Sequence, residues 1–208
     1  MKKLILLFTF AVITNFSSAQ NLNEIRASMG IDFISSPELR DYILRYQDAG
    51  DFYSAVNFSG SYGRMLSESF QLEAEFSFLL SSFTGSNEIG NYDLTNTIMM
   101  PSVLAFYVLQ GEGYNFKFGG GAGLRFLSAD EKQQGLNVTD NFTSTGYGII
   151  LRAIGNTAIA ANVYAHIGAD IRYDFLGKPE NDILTRPIED VDFNSLSFGV
   201  RLGISYQF

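Results

Sequence analysis

The chain has 208 residues, 46% of them apolar and only 17% charged, with 20 Gly, 19 Phe and 11 Tyr but no Trp and no Cys. A formal charge of −8 argues against nucleic acid as a partner, because no basic excess is there to neutralise a row of phosphates. Without cysteine there is no disulfide scaffold, thiolate metal site, cysteine nucleophile or lipid-bearing N-terminal Cys, and the single histidine, His166, excludes multi-histidine metal sites.

Met1-Lys2-Lys3 is a short basic start, followed by the apolar run Leu4 to Ile13 and the small residues Ser17-Ser18-Ala19. This order reads as an export signal cleaved after Ala19, which gives a signal peptide over 1–19 and one mature domain over 20–208. Removing Lys2 and Lys3 leaves 12 basic residues against 22 acidic ones, a balance of −10. No later stretch reaches the ~20 apolar residues of a transmembrane helix, so a membrane-spanning form has to cross as strands.

Eight segments with a period of two follow. Ile25 to Phe33 alternates with Arg26, Ser28 and Asp32. From Tyr53 to Met65, Val56, Phe58 and Tyr62 share a face, and Arg64 falls on it at the strand end or after a bulge. Phe70, Leu72, Phe76 and Phe78 oppose Gln71, Glu73 and Glu75. Leu94 to Leu109 is apolar on both faces and carries Pro101, which cannot donate to a ladder. Tyr114, Phe116, Phe118, Leu124 and Phe126 oppose Asn115, Lys117 and Arg125. Tyr147 to Ala153 alternates weakly, with Arg152 on the polar face. Ile159 to Phe175 sets nine apolar residues against Asn162, Tyr164, His166, Gly168, Asp170, Arg172 and Asp174. Leu196 to Phe208 is the clearest, apolar at every second position against Ser197, Gly199, Arg201, Gly203, Ser205 and Gln207.

The connections alternate in length. Long ones span 32–53, 83–92, 128–144 and 176–193, and tight ones fall at Leu66–Ser69, Gln110-Gly111-Glu112-Gly113 and Gly155-Asn156-Thr157. In the first loop, Ser36-Pro37-Glu38 and Gly50 bracket an apolar stripe of Leu39, Tyr42, Ile43 and Tyr46, which predicts a short helix. Long and short connections in alternation predict an all-β fold, an eight-stranded antiparallel up-and-down transmembrane β-barrel. The apolar face has to point outward, because an eight-stranded interior cannot hold seven or more large side chains per strand. The lumen then holds Arg26, Lys117, Arg125, Arg152, Arg172 and Arg201 against Asp32, Glu73, Glu75, Asp170 and Asp174, with His166 among them. Near-neutral balance predicts a plug of ion pairs, since buried charges are tolerated only when paired. Gly119, Gly121 and Gly123 alternate on the inner face and leave room for long side chains from neighbouring strands.

The last segment carries a recognisable end. Arg201-x-Gly203-x-x-Tyr206-x-Phe208 resembles the C-terminal signal of the small outer-membrane β-barrels of diderm bacteria, the OmpA/OmpX-like eight-stranded group. The likeness covers the mature chain as pattern, and it implies residence in the cell outer membrane. It also implies delivery by the barrel-assembly machinery, which reads that signal at Arg201, Gly203, Tyr206 and Phe208. It implies no shared activity, and with the sequence ending at Phe208 no peptidoglycan-binding module of the OmpA kind is expected.

Candidate chemistry is sparse. His166 and Asp170 lie four apart on one face, roughly 13 Å along the strand at ~3.3 Å per residue, which is too far for a dyad. The glycine cluster lacks the Gly-Lys-Ser/Thr of a phosphate loop. Glu189, Asp190 and Asp192 lack calcium-loop spacing and read as a solvated acidic tip. No catalytic, cofactor or metal residues are expected. The chain reads as a non-enzymatic monomer surrounded by outer-membrane lipid, with a structural or surface-interaction role carried by its loops. The alternatives are a narrow passage for small or apolar molecules with a lateral exit near Pro101, and a lipid-modifying enzyme using His166.

Overall fold

The computed structural model describes residues 23–38, 41, 53–87, 90–133, 138–178, 180–181 and 192–208. Met1–Ala19 and most of the expected first-loop helix lie outside them, although Pro37, Glu38 and Asp41 are helical. Among the described residues no helix is long and apolar enough to cross a membrane. Eight long strands do the work: β1 (Asn23–Ser35), β2 (Tyr53–Ser67), β3 (Phe70–Asn87), β4 (Gly90–Gly111), β5 (Tyr114–Gln133), β6 (Val138–Ala160), β7 (Val163–Phe175) and β8 (Ser195–Gln207).

Every strand pairs antiparallel with its neighbours in sequence, and β8 pairs with β1 from Glu24↔Gln207 to Ser35↔Leu196, which closes the barrel. Asn23 and Phe208 exchange backbone hydrogen bonds at the seam. Closure removes sheet edges, so the backbone is satisfied where no water is available. A two-residue strand, Glu180–Asn181, adds to β6 at Thr143 and Phe142.

The alternation decides the orientation. Leu151 exposes 67% of its surface and the adjacent Arg152 5%; Leu202 exposes 61% and Arg201 3%. The outward band is bounded by aromatics, as membrane barrels require. Tyr62, Tyr107, Tyr114 and Tyr206 ring the end of the tight turns, and Phe33, Phe126, Tyr147 and Tyr173 ring the other. Tyr147 stacks on Phe175 with centroids 4.8 Å apart. Tyr114 and Phe126 mark the two limits on β5, a separation of about 30 Å at ~3.3 Å per residue and a tilt of ~40°.

The structure moves three expected boundaries. The segments at 83–92 and 128–144 are largely paired: β3 and β4 match from Phe70↔Tyr107 up to Asn87↔Gly90, and β5 and β6 from Tyr114↔Thr157 up to Gln133↔Val138. These four strands therefore stand above the aromatic boundary as sheet. The third tight turn lies at Ala161-Asn162 rather than Gly155-Asn156-Thr157. Asn162 takes φ 63°, a left-handed conformation that Asn tolerates. Gly155 and Asn156 stay in β6, with the Asn156 amide donating to Asn115 at 2.6 Å inside the barrel. Ile159 consequently belongs to β6 and Ala161 to the turn. A register shift between Met65 and Ser67 ends β2, and Arg64 sits on the outer face just before it.

Candidate functional site: the lumen

The lumen is where the buried chemistry lies, and its wall positions explain it. Inward residues are the even ones on β1 and β4 and the odd ones on β3 and β5, so strand pleat alone sends Arg26, Asp32, Glu73, Glu75, Lys117 and Arg125 inside. Arg152, His166, Asp170, Arg172, Asp174 and Arg201 join them from β6, β7 and β8, all buried. Glu24 also points in. It lies two residues before Arg26, one step back along the same face, and the alternation extended to Asn23 would have found it. With Glu24 the six basic residues of the ion-pair network face six acidic ones, Glu24, Asp32, Glu73, Glu75, Asp170 and Asp174.

The pairs stack along the barrel. At the tight-turn end Lys117 bonds Glu24, which also accepts from Gln71 Nε2 at 3.3 Å. Beside it Arg26 pairs with Glu73, and its guanidinium lies 6.0 Å from the centroid of the Phe106 ring. A closed four-membered ring follows. Arg152 grips Glu75 with both Nη atoms, one at 2.9 Å, and reaches Asp170 at 3.2 Å. Arg201 bonds the same Asp170 and lies 3.8 Å from Glu75. Above it runs a chain: Asp32 to Arg172 at 2.9 Å, Arg172 to Asp174 at 2.6 Å, and Asp174 to Arg125 at 2.5 Å. Asn57 donates to Asp32 at 3.0 Å, and Arg125 donates to Ser102 at 3.2 Å and to the Leu124 carbonyl at 2.8 Å.

Charges and glycines do not fill the lumen alone, and this corrects the expectation. The doubly apolar β4 supplies Leu104, Phe106 and Val108, which pack with Ile150 and Ile154 of β6. Nearer the loop end, Ile34, Leu79, Leu94, Ile98, Met100, Leu127, Phe142, Leu176 and Phe193 form an apolar cap, with Tyr53 and Phe83 against it. The three glycines make room for this. Phe106 lies opposite Gly119, Leu104 opposite Gly121 and Ser102 opposite Gly123, while Arg152 flanks Gly119 from the other side. A Cβ on Gly119 or Gly121 would strike the carbonyl oxygen of Ala105 or Val103 and the backbone of Phe106 or Leu104. At the tight-turn mouth a cavity of about 20 Å³ remains among Asn23, Glu24, Gln71, Asn115 and Lys117, the room of one water.

His166 reaches across Gly203, which has no side chain to obstruct it, and its Nε2 lies 2.9 Å from Ser28 Oγ. Nδ1 has no partner among the described residues, and Asp170 is held by Arg152 and Arg201 instead. A serine–histidine pair is thus present without the carboxylate that would orient the imidazole. Among the described residues no group of three ligands could hold a metal ion. In the first loop Ser36 donates to the Asn194 carbonyl at 3.0 Å, and Glu38 accepts from the Asp192 amide at 2.6 Å, tying that loop to the start of β8. Glu189 and Asp190 lie outside the described residues.

The four residues expected to form a C-terminal signal are split by the pleat. Arg201 is inside in the four-membered ring, Gly203 lies beneath His166, and Tyr206 and Phe208 stack on the outer face with centroids 5.9 Å apart.

No protein-family model matches the chain, and no curated protein matches it. Solved structures do. Neisserial surface protein A aligns with a TM-score of 0.52 at 16% identity over 92% of this chain and 100% of that one. Ail, the attachment invasion locus protein of Yersinia pestis, aligns at 0.54 with 12% identity over 90% and 99%. The outer membrane protein OprG from Pseudomonas aeruginosa aligns at 0.53 with 12% identity over 89% and 95%. At these identities the likeness is one of fold. Together with the closed barrel, the apolar outer band and the ion-paired lumen, it makes the protein an outer-membrane β-barrel with the fold of the small eight-stranded group.

Proposed function

We propose that the protein is a non-enzymatic, monomeric structural or surface-interaction barrel, which presents its loop-end hairpins above the membrane and conducts nothing of consequence through its lumen. The observation that carries this reading is the pairing of all six lumen cations among the described residues with carboxylates on other strands, under an apolar cap. Rings and chains of charge-assisted bonds rigidify such an interior rather than line a water path. The upper parts of β3 to β6 then serve as the rigid mount for whatever the loops meet. The same mount suits a barrel delivered by the assembly machinery through Arg201, Gly203, Tyr206 and Phe208. Purified protein in planar bilayers should show no steady conductance above the lipid background. Regular open-channel steps at neutral pH would overturn the reading.

One observation favours a second reading, a lateral passage for small apolar molecules. Met100 and Pro101 have no ladder partner on β5, whereas Met99↔Phe126 and Ser102↔Gly123 on either side do. The Met100 carbonyl lies 3.5 Å from the Ser77 hydroxyl and 3.4 Å from that of Ser102. Stapling the seam with Met99→Cys and Phe126→Cys should abolish uptake of an apolar dye by proteoliposomes if this passage exists. Uptake that is absent, or indifferent to oxidation, removes it.

A further inference from the structure

Above Phe126 and Met99 the outward face of the sheet changes character within one step of the pleat. On β4, β5 and β6 the next outward positions form two rows in register: Thr97↔Ser128↔Thr143, then Thr95↔Asp130↔Asn141. All six are exposed or half-exposed. Neighbouring strands lie ~4.8 Å apart and alternate residues ~6.7 Å, so the grid spans about 10 by 7 Å, the footprint of one or two sugar rings.

We infer that this grid is a docking surface for the sugar headgroup of the glycolipid in the outer leaflet around the barrel. Position selects the occupant first. These side chains point the same way as the lipid-facing Phe126 and Met99 on the same strands, so the grid looks sideways from the barrel and continues the membrane-facing band into the headgroup layer. Chemistry selects it second. Hydroxyls, an amide and one carboxylate both donate and accept, as a sugar's own hydroxyls demand. The six positions contain no Lys or Arg, and the nearest cation on the same face, Lys132, stands alone one pleat step further up β5, so the grid has no cluster of cations to grip phosphate. It also lacks the Trp, Tyr, Met and Arg anchors that protein interfaces depend on. Finally, the hydroxyls are carried on three hydrogen-bonded strands, and β-branched Thr is restricted at χ1, so little freedom is lost on binding. This inference is independent of whether the lumen conducts.

The test compares the barrel in nanodiscs of phosphatidylcholine, of phosphatidylcholine with phosphatidylglycerol, and of phosphatidylcholine with lipopolysaccharide. The methyl resonances of Thr95, Thr97 and Thr143 should shift only in the lipopolysaccharide discs. The pair Thr97→Val and Thr143→Val, which removes two hydroxyls at nearly constant shape, should lower the lipopolysaccharide retained per barrel through detergent exchange at least threefold. Ser128→Ala alone should lower it in the same direction, and serves if the paired variant folds poorly. Equal shifts with phosphatidylglycerol would mean that the face senses charge rather than sugar, and would overturn the assignment. So would shifts that follow the number of barrels per disc, which would identify a second copy as the occupant, or retention unchanged by either variant.

Discussion

Removing Arg152 should test the lumen most severely. Its guanidinium touches two carboxylates, Glu75 through both Nη atoms and Asp170 at 3.2 Å, and all three side chains are buried. At an effective dielectric of ~20, a unit pair ~3.2 Å apart attracts by about 5 kcal/mol, much of it cancelled by desolvation. In Arg152→Met, Arg201 remains as the single cation against Glu75 and Asp170, so one buried negative charge is left uncompensated. The expected loss is about 3–5 kcal/mol, the range for breaking a buried pair from one side. With a urea slope of ~2 kcal/mol/M, the unfolding midpoint should fall by about 1.5–2.5 M. Adding Glu75→Gln to Arg152→Met leaves Arg201 with Asp170 alone and restores neutrality. That double variant should recover at least half of the loss, a coupling of about 2 kcal/mol or more. Midpoints are read in lipid vesicles from the gel-mobility difference between folded and heated barrel. A single variant within 1 kcal/mol of the parent, or losses that simply add, would refute the claim that facing charges hold this interior together.

Further outcomes follow from the same geometry. Gly119→Val and Gly121→Val should cost about 3 kcal/mol or abolish folding, because the new Cβ meets backbone, whereas Gly60→Ala, with open space around it, should stay within about 0.5 kcal/mol by the same gel assay. At the β6–β7 turn, Asn162→Val should be about 1–2 kcal/mol less stable than Asn162→Gly, reflecting the φ of 63°. His166→Asn should leave the membrane lipid profile by mass spectrometry unchanged; a lost or altered lipid species would revive the enzymatic reading.

Much of this molecule is legible in its sequence because a strand between lipid and lumen writes two different solvents onto one residue in two. The β8 and β1 patterns, and most of β7, are of this kind. Legibility fails where one of the two sides is not distinctive. Along β4 the lumen side is apolar like the lipid side, since Leu104 and Phe106 fill the space that Gly121 and Gly119 leave open on β5, so the period disappears although the residues form a continuous strand. Along β6 the outward Thr143 and Thr145 already stand beyond the aromatic boundary, and polar residues on both faces resemble a loop. The misplaced turn has a similar cause. Gly155-Asn156-Thr157 has turn composition, but Gly155 faces the Phe116 ring and Asn156 bonds Asn115, so tertiary partners keep the residues extended. Side-chain pairing could not be read at all, because which carboxylate meets which guanidinium depends on the stagger between strands far apart in the chain.

The row of glycines on β5 removes side-chain bulk as a check on its alignment with β4, and leaves that alignment to the tight turn at Glu112-Gly113 and to the charges. Moving β5 by two positions would bring Gly121 opposite Phe106 and Gly123 opposite Leu104, and neither placement is sterically worse than the native one. Bulk therefore cannot tell one alignment from another. Lys117 and Arg125 can, because any slip carries them away from Glu24 and Asp174 on strands that do not move with them. The two cations act as dowels, pinning β5 to β1 and β7 at one alignment.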